Sequence, residues 1–277
     1  MNSKLSKLCF SEQISENPIK IEKYDNLNYI FNKNDLKTGQ SLELYGEYAA
    51  EEIAVLEKLV NEDDIVLDIG SHIGIYALAL AKKLSNKGAI LAFEPNRLIF
   101  QQLCANISIN NISNIYTHQA ALSNHQESLY SSELDFNTSS NKTDLALNSN
   151  CVGESTTVVV IDRLNLPRCN LMKVTTNGME INVLTGAANT IKKYRPILYV
   201  ENSVKSYSKD LIMLLESFDY DLYWSVSPLY RTNNLLNNKE NVFQTEKLVN
   251  IIGLPKGDNS KLEGFSKVKD AFDYYEE

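Results

Sequence analysis

The 277-residue chain reads as an α/β protein: a doubly wound, mainly parallel sheet with an antiparallel edge and an N-terminal extension. Three observations predict this. The run at 65–67 is short, apolar and β-branched, and a turn carrying Gly70 and Gly74 follows it and opens into an apolar helix over 75–84. Strand-like and helix-like stretches of ordinary length then alternate along most of the chain, as in a sheet whose parallel strands are joined by crossover helices. The last two apolar runs, 222–229 and 248–254, flank an Asn-rich connection at 233–241 and predict a hairpin-like pair at one edge.

Taken in order, Ala49, Ile53, Leu56 and Val60 mark a helix before the first strand. The second strand covers 89–93 and ends at Glu94, just before Pro95. Phe100, Leu103, Cys104 and Ile107 mark the next helix at i, i+3, i+4, i+7, and Leu184, Ala187, Ala188 and Ile191 repeat that spacing, as do Leu211, Leu214, Leu215 and Phe218. Strand-like runs lie at 115–122, 156–161, 171–176 and 196–201. Residues 123–155 break the rhythm with a polar stretch rich in Ser, Asn and Thr. Ligands of open α/β sheets bind outside the carboxyl ends of the strands. A long connection leaving the third strand therefore reads either as an acceptor-binding lid or as a surface insertion. The expected division is an extension at 1–41, one domain at 42–255 and a tail at 256–277.

Composition bounds the function. A hydrophobic fraction of 43% and a charged fraction of 22% are ordinary for a soluble domain with a sizeable core. The net charge of −8 and only five arginines disfavour a nucleic-acid partner. The N-terminus lacks a continuous apolar core and a cleavage pattern, and no run reaches a membrane span, so a cytoplasmic protein is expected. Cys9, Cys104, Cys151 and Cys169 form no C-x-x-C pair, and His72, His118 and His125 lack a zinc-ligand rhythm, so reduced thiols and no metal are expected.

The glycine spacing narrows the cofactor. A dinucleotide fingerprint has three glycines as G-x-G-x-x-G, whereas this turn offers Gly70-x-x-x-Gly74 with Asp68 two residues before it. The pattern points away from a phosphate and toward S-adenosylmethionine, which carries an ammonium, a sulfonium and a ribose diol. Asp68 suits the cationic part, and Glu94, at the next strand end, suits the ribose hydroxyls. Each acid taken alone also fits a plainer role, Asp68 as a buried acid satisfied by loop amides and Glu94 as a solvated strand end.

From about residue 42 to 255 the chain resembles the FkbM family of S-adenosylmethionine-dependent methyltransferases, within the class I methyltransferase fold. The segments that carry the resemblance are LYGEY (44–48), VLDIGSHIG (66–74), AFEPN (92–96), LCANISINN (103–111), KVTTNGME (173–180), RPILYVEN (195–202) and YDLYWSVSPLYR (220–231). The resemblance implies a Rossmann-like, seven-stranded sheet and O-methylation of a small or glycan-type acceptor. It places the cofactor turn on Asp68, Gly70, His72 and Gly74, the ribose carboxylate on Glu94, and a contact to the cofactor's methionine end on Glu47. His72 stands where the family more often has asparagine; it also fits a simple helix cap.

The acceptor half departs from the family. Where relatives usually read Lys-Ile-Asp-Val-Glu-Gly, this chain has Lys173-Val174-Thr175-Thr176-Asn177-Gly178, and Ser225 stands where many have histidine. Two carboxylates are thus missing where a base or metal ligand is expected, which argues for metal-independent transfer. Thr175 and Asn177 remain acceptor-side residues, and the proton acceptors left are Glu201 and Glu180, with His118 and His125 behind them. Glu180 also fits a first-turn helix acid favoured by the dipole. The alternative is a weak or inactive member that binds the cofactor or a glycan in a recognition or regulatory role.

Overall fold

The computed structural model describes residues 17–131, 133–138, 147, 149–150, 152–257, 262 and 264–275. The elements run β1 (Ile19–Tyr24), β2 (Leu27–Asn32), α1 (Thr38–Tyr45), α2 (Ala50–Leu59), β3 (Ile65–Ile69), α3 (Ile75–Ala81), β4 (Ala89–Phe93), α4 (Arg97–Ile109) and β5 (Ile115–His118). Four short strands follow, β6 (Ala121–Leu122), β7 (Leu129–Ser131), β8 (Glu154–Thr156) and β9 (Val158–Val159). The second half holds β10 (Leu171–Val174), α5 (Glu180–Thr185), α6 (Ala188–Tyr194), β11 (Ile197–Glu201), α7 (Lys205–Ser217), β12 (Tyr220–Pro228) and β13 (Lys247–Pro255).

Seven strands form the central sheet in the order β12-β13-β11-β10-β3-β4-β5. The first five in chain order are parallel, and β13 pairs antiparallel with both β11 and β12. The doubly wound sheet and its antiparallel edge are as expected. Two apolar clusters cover its faces, because each central strand is buried on both sides and alternates its residues between them. Val66, Leu171, Tyr199 and Ile252 pack on one face, and Leu67, Met172, Leu198 and Ile251 on the other.

Three expected elements differ, the first being the strand expected at 115–122, which divides into β5 in the central sheet and β6 outside it. The run at 156–161 does not join the central sheet: Val158 and Val159 pair in parallel with Ala121 and Leu122, beside the short β7–β8 ladder. The helix expected through Leu184 to Ile191 is two helices. A side chain at Gly186 would come within 2.2 Å of the Ser123 carbonyl, so the chain passes too close there to continue regularly. Asp162 then restarts it, its carboxylate accepting from the N–H groups of Asn189 and Thr190 at 3.0 and 2.8 Å.

The β1–β2 hairpin packs on α4. The buried Asn106 side chain accepts from the Ile30 N–H at 2.6 Å and donates to the Ile30 and Ile73 carbonyls at 3.1 and 2.9 Å. One amide thereby ties the hairpin to the glycine turn between β3 and α3. The part of the proposed lid at residues 132, 139–146, 148 and 151 lies outside the described residues, as do Cys9 and Cys151.

Candidate active site

The carboxyl ends of β3, β4, β10 and β11 open onto a cavity of about 520 Å³, a volume suited to a small-molecule site. The parallel register builds its floor. Lys173 is paired with Asp68 across β10 and β3, and with Tyr199 across β10 and β11, so the three side chains share one face. A buried lysine needs a partner, and Lys173 Nζ donates to Asp68 Oδ1 at 3.0 Å, with both side chains at most 2% exposed. The Ser71 hydroxyl donates to the other Asp68 oxygen at 2.5 Å. Asp68 therefore meets the cavity only through Lys173 and Ser71, which line it.

Gly70 and Gly74 serve protein packing as much as ligand access. Both have positive φ, 77° and 92°. A side chain at Gly70 would fall 1.8 Å from the Thr175 carbonyl oxygen, and one at Gly74 would fall 2.6 Å from Leu103 Cδ1. The turn is thereby pressed against β10 and α4. Gly70 lines the cavity; Gly74 does not.

Glu94 is buried and lines the cavity. Its two oxygens accept from the His72 and Asn96 N–H groups at 3.0 and 2.9 Å. Desolvation nevertheless lifts its pKa from 4.5 to about 7. Each oxygen retains a lone pair, so a diol can still be accepted. Beside it, Pro95, Ile99, Ala120, Ala121 and Leu122 form an apolar wall. His72 is held in the left-handed region, φ 52°, with Nε2 at 3.6 Å from Asp35.

Glu201 ends β11 and also lines the cavity. Ser203 donates to one oxygen at 2.9 Å, while Oε2 is buried with no hydrogen-bond partner among the described residues. Burial, and then the neighbouring charge of Glu180, raises its pKa to about 7. An acid poised near neutrality in a cavity wall is equipped to take a proton. Thr175 and Asn177 line the same cavity. Glu180 does not: its carboxylate accepts from the Thr176 N–H and hydroxyl and from the Gly178 N–H, at 2.8, 3.0 and 3.0 Å, and so knits the β10–α5 turn. Glu47 is likewise outside the lining and forms a two-point pair with Arg231 at 2.7 and 2.8 Å. His118 stacks on Phe93, and His125 is exposed.

Several lining residues escape a motif-based reading. Glu52, 2% exposed, accepts from Tyr76 at 2.5 Å, Asn250 at 2.6 Å and Ser227 at 3.3 Å. Burial raises its pKa, against the opposing pull of these donors. Its signal was present in the sequence, since an acid between Ala49 and Leu56 falls on the apolar stripe of α2. Lys173 was similarly legible as the one cation in an apolar central strand, and Tyr76 as the polar group of an apolar helix. With Lys173 paired to Asp68, three further acids line the cavity, Glu52, Glu94 and Glu201, and a cationic ligand would favour their ionised forms. Among the described residues no group of three or more His, Cys, Asp or Glu could hold a metal ion, and no helix is long and apolar enough to cross a membrane.

The chain is 27% identical over 147 residues to Methyltransferase 1 of Beauveria bassiana (strain ARSEF 2860), a match covering 45% of this chain and 59% of that relative. The chain thus spans about three fifths of that relative's length. The solved structure of a precorrin-6y C5,15-methyltransferase from Geobacter metallireducens GS-15 superposes with a TM-score of 0.50 at 14% identity, covering 74% of this chain and 88% of that one. That of a methyltransferase FkbM from Methylobacillus flagellatus KT has a TM-score of 0.46 at 17% identity, covering 69% and 44%. The methyltransferase FkbM domain matches residues 68–222, from the acid of the glycine turn through the first residues of β12 and over more than half of the chain; the chain belongs to that family.

Proposed function

We propose that the cavity binds S-adenosylmethionine and transfers its methyl group to a hydroxyl of a small or glycan-type acceptor without a metal ion. The observation that carries this reading is Glu201, a half-buried carboxylate that lines the same cavity as Glu94 and has one oxygen without a hydrogen-bond partner among the described residues. The residues fit the cofactor. Glu94 would accept from the ribose hydroxyls, the wall of Ile99, Ala121 and Leu122 would cover the adenine, and the buried acids would offset the positive charge. When bound, the cofactor supplies a sulfonium-activated methyl group for in-line displacement.

The chain's own residues then position and deprotonate. The Glu201 carboxylate would accept the proton of the attacking hydroxyl, while Thr175 and Asn177 would hold the acceptor by hydrogen bonds. Holding oxygen and methyl in a near-attack arrangement is worth up to ~7–11 kcal/mol, and a positioned base adds about 10²–10⁴-fold. Transfer therefore does not require the two carboxylates replaced by Thr175 and Asn177. Their replacement favours the second reading, a binding member without turnover.

The test is a screen of hydroxylated acceptors with methyl-labelled cofactor, read by mass spectrometry for the gain of one methyl. An acceptor methylated by the natural chain and slowed about 10²–10⁴-fold by Glu201→Gln supports the enzyme reading. No turnover by the natural chain, with transfer appearing in Thr175→Asp/Asn177→Glu, supports the binding reading. Tight NAD binding with no response to adenosyl ligands sinks both.

A further inference from the structure

Beyond the cavity, its wall runs onto a strip of aromatic rings that the transfer chemistry does not use. Ser203, Val204 and Lys247 line the cavity. The C-terminal segment meets two of them: the Tyr274 hydroxyl donates to the Ser203 carbonyl at 3.3 Å, and Lys247 Nζ lies 5.4 Å from the centre of the Tyr275 ring. Lys205 and Lys209 sit over Tyr274 and Phe272 at 5.2 and 4.6 Å. Such contacts are weak at exposed sites and orient a ring without burying it. Phe272 stays 78% exposed.

We infer that this strip is an acceptor subsite for a sugar ring one unit beyond the one whose hydroxyl enters the cavity, so that the preferred acceptor is an oligosaccharide. The inference rests on the reading of the cavity as an acceptor site. A pyranose presents a C–H face that suits an aromatic ring and a hydroxyl edge that suits ammonium donors. The strip offers both chemistries side by side, on a protein whose net charge is −8. It is continuous with the cavity through Ser203 and Lys247, so one extended ligand can occupy both.

Trp224 provides the readout. It is the chain's only tryptophan, its indole N–H donates to Asp273 at 3.2 Å, and its ring lies 6.3 Å from that of Tyr275. The full chain is titrated with mono-, di- and trisaccharides of hexose, N-acetylhexosamine and hexuronic acid, following Trp224 fluorescence and saturation-transfer NMR. The longer members of at least one series should bind more tightly than the monosaccharide. Phe272→Ala should weaken the longer ligands by roughly two- to twelvefold, the factor matching about 0.5–1.5 kcal/mol for one aromatic contact, and leave the monosaccharide unchanged. Tyr274→Ala is a second variant with the same expectation.

Binding of no sugar in the panel, affinity independent of length, or equal affinity in both variants would overturn the subsite. So would binding only to anionic phospholipid vesicles that Phe272→Ala abolishes. Calorimetry with the demethylated cofactor separates this from the cavity reading. Its failure in the natural chain refutes the cofactor site, whereas unchanged cofactor binding in Phe272→Ala with no length dependence refutes the subsite alone.

Discussion

Glu201→Gln should change stability in a pH-dependent way that no neutral surface substitution reproduces. Burial lifts the Glu201 carboxyl from 4.5 to about 7. Between those values the folded chain holds a proton that the unfolded chain has released, so this group's contribution falls as pH rises, and the loss is complete above about pH 7. At 1.36 kcal/mol per tenfold change in proton activity, the lift gives a penalty of about 1 kcal/mol at pH 5 and about 3 kcal/mol at pH 8. Glutamine keeps the size and can still accept from Ser203, but it does not titrate. The variant should therefore gain about 2–3 kcal/mol on the natural chain between pH 5 and pH 8. The assay is urea unfolding of both proteins at the two pH values. Glu94 carries a similar lift in both proteins and drops out of the difference. A stability difference that is the same at both pH values would show that Glu201 is ionised in the fold at ordinary acidity, and would remove the argument for it as a proton acceptor poised near neutrality.

The floor of the cavity is more sensitive. Lys173→Met leaves Asp68 as a buried charge without its cation and should cost about 3–5 kcal/mol in urea unfolding, with Asp68→Asn in the same chain recovering part of it; a loss under about 1 kcal/mol would mean the pair is solvated. Gly70→Ala forces a side chain onto the Thr175 carbonyl at a left-handed position and should lower the melting temperature and abolish adenosyl-ligand binding together, whereas normal calorimetric affinity would show that the turn yields. Saturating S-adenosylmethionine or its demethylated product, at ~100 times its dissociation constant, should add about 2.7 kcal/mol of stability, and a flat thermal-shift titration would count against the site. Turnover on any acceptor found should survive EDTA, since Thr175 and Asn177 stand where hard oxygen ligands are expected; activity lost to EDTA and restored by Mg²⁺ would place the acceptor elsewhere.

The sheet was legible before folding because its causes are local. Period-3.6 stripes, short apolar runs and turn glycines act over a few residues, and they located the β3–α3 turn, Glu94 and the antiparallel edge. They failed where distant parts of the chain meet. Helices α5 and α6 are separated because Gly186 passes the Ser123 carbonyl. The apolar run near Val158 satisfies its burial against Ala121 and Leu122 instead of lengthening the main sheet.

The site divides along the same line. Local pattern in the sequence put Glu94 and Glu201 at strand ends, and the resemblance to the family put Thr175 and Asn177 on the acceptor side; all four line the cavity. Tertiary structure alone decided how those residues are partnered. Lys173 claims Asp68 through register across two strands 105 positions apart, Arg231 claims Glu47, and the β10–α5 turn claims Glu180. Glu52 lines the cavity, and one oxygen of Glu201 is left without a partner among the described residues. A carboxylate's chemistry depends on its desolvation and on the donors within about 3 Å, and both are set by segments that meet only when the sheet closes.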